Sequence, residues 1–121
     1  MVRQELTFHV NFQIASSKEY YNDTLIEEIH YDEQGRIHDV YRKWYGNGNL
    51  SVMYTFLNGV VNGLCYNYYE NGQVESESNY LDGKLNGIAR KWHYNGQLEF
   101  ELTYVNGYIT STFEKGVRQW L

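Results

Sequence analysis

Residues 68–91 read YYENGQVESESNYLDGKLNGIARK, and residues 92–115 read WHYNGQLEFELTYVNGYITSTFEK. Set one beneath the other, they bring Gly72 over Gly96 and Gly83 over Gly107, and the same 24-residue step reaches back to Gly48, Gly59 and Gly35. No insertion or deletion interrupts the period between residues 20 and 116. A fixed period in this range marks a repeat architecture, in which each unit covers its neighbour's apolar surface. Such a chain is built as an extended surface rather than around a pocket, which favours binding over catalysis.

The period sorts the other residues into columns. An aromatic residue opens each unit (Tyr20, Trp44, Tyr68, Trp92), and an aliphatic one follows the first turn (Ile26, Leu50, Val74, Leu98). Asparagine directly precedes seven of the glycines, and Asp82-Gly83 adds a similar pair. Asn-Gly and Asp-Gly suit the two positive-φ positions of a type I′ hairpin turn. Between the turns, Leu98, Phe100, Leu102 and Tyr104 alternate on one face, as do Leu50, Val52, Tyr54 and Phe56. Helical spacing is absent, and the glycine density would defeat a helix. The fold expected is all-β: an elongated, twisted antiparallel sheet of β-hairpin repeats.

Outside the repeats, Leu6, Phe8, Val10, Phe12 and Ile14 alternate strictly, which predicts a strand over 6–14 that caps the array. Residues 15–19 read as a connection, so the expected organisation is an N-terminal strand and connection over 1–19, four units over 20–116 and a tail over 117–121. The first unit is degenerate, with Thr24 and Asp39 where later units carry glycine, and the last is incomplete. Trp120 and Leu121 are expected to fold back over that end. Proline, a common blocker of open sheet edges, is missing, which leaves an edge-to-edge homodimer open.

Composition narrows the function. A net charge of −5 argues against nonspecific binding to nucleic acid or to an anionic membrane, both of which favour basic patches. Cys65 is the only cysteine, so an internal disulfide is impossible and a reducing compartment fits. The first residues lack the apolar stretch of a signal peptide, so cytoplasmic residence is expected.

With Tyr68–Gly72 and Asn79–Gly87 in view (YYENG, then NYLDGKLNG), the chain resembles the variant MORN repeat of bacterial proteins. The pattern returns at 92–107 and, more loosely, at 44–63. The resemblance implies an elongated sheet acting as an interaction module or scaffold, in some cases at membranes. Proteins made of little but this repeat are similar to bacterial antitoxins or immunity proteins that block a toxin domain. The repeat carries no catalytic residues, and the resemblance implies neither an enzyme nor a cofactor.

The candidate binding residues follow from the columns. Glu75 and Glu99 share one repeat position, and Glu77 and Glu101 another two residues on, so strand alternation predicts one acidic block over the four. Such a block would steer a basic protein partner, such as a nuclease toxin. The plainer reading is an ordinary solvated face, partly neutralised by Lys43, Arg90 and Lys91 on adjoining strands. Tyr45 and Tyr69 head a second aromatic column, readable either as an exposed recognition face or as a face covered by strand 6–14. His30, Asp32, His38 and Asp39 cluster in the first unit, but their spacing is not a ligand motif and strand geometry splits them between faces. Cys65 aligns with Tyr41 and Ala89, packing residues, and reads as core. Metal and catalytic sites are therefore expected to be absent.

Overall fold

The computed structural model describes residues 1–114 and 117–120. Its strands are β1 (Val2–Phe8), β2 (Ile14–Tyr21), β3 (Thr24–His30), β4 (Asp39–Trp44), β5 (Leu50–Leu57) and β6 (Val60–Tyr68). They continue as β7 (Val74–Leu81), β8 (Lys84–Leu85), β9 (Gly87–Trp92), β10 (Leu98–Val105), β11 (Tyr108–Glu114) and β12 (Val117–Trp120). The described residues form a single antiparallel meander in which every strand lies beside its sequence neighbours, with the short β8 pairing β7 just before β9 takes over. No helix is present among the described residues.

Two of the glycine columns predicted from the period become turns, of two kinds, whereas the third does not: Gly63 lies within β6 and Gly87 opens β9. Asn58-Gly59, Asp82-Gly83 and Asn106-Gly107 are two-residue turns with both residues at positive φ. Five-residue turns span 45–49, 69–73 and 93–97, each closed by the same pair of backbone bonds, such as Tyr69 N–H to Gln73 O at 2.8 Å and Gly72 N–H to Tyr69 O at 3.0 Å. Successive units are tied across the gap between turns. Gly59, Gly83 and Gly107 donate their N–H to Ile37, Val61 and Leu85.

Two expectations are corrected at the N-terminal end. The strand expected over 6–14 is broken by a turn: His9 donates to Gln13 O at 2.8 Å, Phe12 to His9 O at 3.0 Å, and Gln13 N–H to Asn11 Oδ1 at 3.0 Å. Alternation of apolar residues continues through this turn and hides it. Phe12 takes the place of the turn glycine with φ 68°. Residues 15–19, expected as a connection, belong to β2. The resulting hairpin lies beside β3 as part of the sheet and covers no face.

The second correction concerns Gly35. It falls in the Gly59 series by spacing, yet Asp32–Arg36 is a five-residue turn, with Gly35 N–H donating to Asp32 O at 3.0 Å. The preceding turn, Asn22-Asp23, is the two-residue kind, with φ 48° and 65°. Alternate turns of a meander share one edge of the sheet. Five-residue turns therefore occupy one edge at 9–13 and 32–36 and the opposite edge from residue 45 onward. The units reverse their sense at β4, which is flanked by a five-residue turn at each end. Asp39, the other break in the pattern, keeps the backbone of its glycine equivalents, with φ 68° against 104° at Gly63.

A single layer encloses little. Among the described residues only Cys65, Ser16, Glu101 and Ser111 are buried. Packing is carried along the faces instead. On one face, Tyr41 approaches Tyr54 and Phe56, with ring centroids 6.4 and 6.5 Å away. Tyr54 lies opposite Cys65, and Cys65 opposite Ser78. At the C-terminal end Trp120 is exposed in β12, opposite Ser111, rather than folded over the sheet; Leu121 lies outside the described residues.

Candidate protein-binding surface

The four glutamates expected as one acidic block divide into two pairs. Glu75 and Glu99 are the extra residues of equivalent bulges: Tyr68 faces Val74 and Asn67 faces Ser76, while Trp92 faces Leu98 and Lys91 faces Phe100. Glu77 and Glu101 stand in the ladder on either side of Arg90. The Arg90 guanidinium lies 3.6 Å from Glu77 and donates through Nε to Glu101 at 2.8 Å. Glu99 is 3.9 Å from Lys91 Nζ and 3.9 Å from His93 Nδ1.

The same ladder runs on toward the N-terminus. Glu5 faces Lys18, Lys18 faces Glu28, and Glu28 faces Arg42, before Met53 and Tyr66 lead to Glu77. Opposite charges directly across an antiparallel pair stabilise it by roughly 0.2–1 kcal/mol each. Glu28 accepts from Arg42 at 2.8 Å, with Lys18 at 3.8 Å and His30 at 3.6 Å. Burial opposes its charge, but the bond from Arg42 and the nearby His30 and Arg42 charges outweigh that and hold the carboxyl below its ordinary range. The face is therefore a row of alternating charges, and steering by an acidic block loses its basis there.

Tyr45 and Tyr69 are half-buried, and both hydroxyls are occupied. Tyr69 Oη donates to Trp92 O at 2.6 Å, and Tyr45 Oη donates to Tyr68 O. His9 repeats the relation in the first hairpin, its Nε2 lying 2.8 Å from Tyr31 O. These residues join consecutive turns. Tyr69 also meets the ring of Tyr94 edge-on at 5.2 Å.

What the columns did not reveal is an apolar strip. By alternation Leu57, Leu81 and Val105 share the face of Met53, Glu77 and Glu101. Leu64 and Ile88 join them, opposite Asn79 and Thr103. All five are between 39% and 50% exposed. The strip follows the edge formed by the turns at 58–59, 82–83 and 106–107. At the N-terminal end of that edge, Val10 and Phe12 are 93% and 89% exposed. The sequence signal was available: positions 57, 81 and 105 are aliphatic at the same 24-residue step.

On the opposite face a shallow cup of about 230 Å³ is lined by Tyr54, Val61, Cys65, Asn67, Ser78 and Tyr80. Burial pushes the Cys65 thiol up, away from the reactive thiolate. Asp32 caps its own turn, accepting from the N–H groups of Gln34 and Arg36. Among the described residues no three His, Cys, Asp or Glu side chains are grouped to hold a metal.

The MORN repeat variant matches residues 61–82 and 85–106. Each matched segment is one hairpin around a five-residue turn, running from one two-residue turn to the next. The β4–β5 hairpin has the same form, with Gly59 bonded back to Ile37. No curated protein matches the chain.

Proposed function

We propose that this protein, built of variant MORN repeats, neutralises a cognate bacterial toxin in the cytoplasm by covering the toxin's working surface. Its repeats make it a protein-binding or scaffold module. The observation that carries the reading is the strip of Leu57, Leu64, Leu81, Ile88 and Val105, half-exposed on an open sheet. Contiguous exposed apolar side chains on a soluble surface mark interaction sites. The alternating charges beside the strip give such a contact a polar flank. Glu75 and Glu99 remain candidates for contact with a basic partner at the rim. Tyr45 and Tyr69 contribute through ring surface, since their hydroxyls are spent within the fold. The reading assigns no chemical step to the chain, and inhibition is steric.

Co-expression with the product of the adjacent gene tests it. The expected result is that this product alone arrests growth, and that co-expression relieves the arrest while the two proteins purify together. A non-toxic product that co-purifies would favour a scaffold. A toxic product that neither binds nor is relieved would contradict the reading.

A further inference from the structure

β1 is an edge strand: among the described residues it pairs only with β2, and all of its residues are exposed. The register fixes which of its backbone groups are free. Met1 O accepts from Asn22 N–H at 2.9 Å, and Arg3, Glu5 and Thr7 face Tyr20, Lys18 and Ser16. Antiparallel ladders alternate between hydrogen-bonded and non-hydrogen-bonded pairs. Arg3, Glu5 and Thr7 therefore share the parity of Met1 and bond to β2. Val2, Gln4 and Leu6 direct their N–H and C=O groups outward, away from the sheet.

The sequence of this edge, Val2-Arg3-Gln4-Glu5-Leu6, is self-complementary about its centre. We propose that β1 pairs antiparallel with β1 of a second copy, Gln4 facing Gln4 across a two-fold axis. In that register Val2 faces Leu6 and Gln4 faces Gln4, and both are pairs whose outward N–H and C=O groups exchange hydrogen bonds. Arg3 faces Glu5 at the non-hydrogen-bonded positions, where side chains lie closer. The two-fold makes this charge pair twice. Centring on Arg3 or on Glu5 instead sets like charges opposite each other.

The chain already holds these charges in place. Arg3 reaches Glu5 of its own strand, and its guanidinium sits 4.2 Å from the Tyr20 ring centroid. Charges on an edge normally deter strand addition. Here they deter other strands while matching a second copy of the same one. A two-fold contact of this kind closes on itself and leaves the strip on Leu57–Val105 uncovered. The proposal does not rest on the toxin reading, because it concerns self-association of the isolated chain.

Sedimentation velocity of the purified full chain over a concentration series, at low salt, tests it. The expected result is a monomer–dimer equilibrium. Arg3→Glu and Glu5→Arg, each with a wild-type circular dichroism spectrum, weaken the dimer about tenfold or more. Mixing the two variants in equal amounts restores it, because each supplies the charge that the other's edge now faces. Independently, Gln4→Cys crosslinks to itself under mild oxidant, since Cα atoms about 5.5 Å apart lie within disulfide reach. A monomer at all concentrations, an open-ended polymer, or a mixture that does not re-associate would overturn the proposal. So would failure of Gln4→Cys to crosslink.

Discussion

The hydroxyl of Tyr69 donates to the backbone carbonyl of Trp92 at 2.6 Å, from one five-residue turn to the residue just before the next. A ladder hydrogen bond joins neighbouring strands, whereas this bond joins neighbouring repeats. In a single-layer sheet with few buried residues, such ties between turns carry stability that a closed core would otherwise supply. Tyr69→Phe keeps the ring and removes the tie. It should cost about 1 kcal/mol, read from the urea midpoint, with Tyr45→Phe behaving alike.

Arg90 separates Glu77 from Glu101, which is only 9% exposed. Arg90→Ala leaves both carboxylates without their shared cation and should destabilise the fold by about 2 kcal/mol. Lys91→Ala, whose ammonium is 3.9 Å from the half-exposed Glu99, should cost less than about 0.5 kcal/mol. Equal losses in thermal denaturation would mean that the ladder of alternating charges is not what organises this face.

The acid limit should depend on Glu28. Its carboxyl is held below the ordinary range in the fold, so the folded state favours the charged form. The stability this contributes is fully present above the unfolded value of about 4.3 and is lost as pH falls through the lower folded value. Urea denaturation of the wild type should weaken below about pH 4.5. Arg42→Met should lower stability at pH 7 and flatten that acid slope. A slope unchanged by Arg42→Met would assign the acid sensitivity to other carboxylates.

Phe12 occupies a turn position with φ 68° and is 89% exposed. A bulky residue in the left-handed region costs roughly 1–2 kcal/mol, and glycine fills this place in the four turns that match it. Phe12→Gly should therefore stabilise the protein by about 1 kcal/mol. Strain retained on an exposed aromatic is consistent with use by a partner, so the same change should weaken partner binding. A variant less stable than the wild type would show that Phe12 packs favourably where it stands.

Much of this architecture was legible because the glycine period records turns, and turns fix strands. Two-residue turns form at Asn58-Gly59, Asp82-Gly83 and Asn106-Gly107, but the same dipeptide at Asn47-Gly48, Asn71-Gly72 and Asn95-Gly96 sits in five-residue turns, so the dipeptide marks a turn without fixing its type. The reversal at β4 was hidden, since Gly35 keeps the spacing of one turn type while Asp32 and Arg36 build the other. The turn at 9–13 was hidden for a related reason, because Phe12 stands in place of glycine and sustains the alternation. Bulges explain the divided glutamates: Glu75 and Glu99 are the extra residues, outside the ladder that holds Glu77 and Glu101, and no residue type announces it. The apolar strip was written at positions 57, 81 and 105, but its exposure depends on the sheet having no second layer.

The central claim is that this open sheet binds a toxin through the strip on Leu57–Val105. Its most direct test is growth rescue against the co-expressed toxic neighbour, comparing wild type with the double variant Leu81→Asp, Ile88→Asp and with the opposite-face control Lys43→Ala. The account predicts that the double variant, folded by circular dichroism, loses rescue and weakens binding at least about a hundredfold, while the control rescues fully. Full rescue by the folded double variant would contradict it.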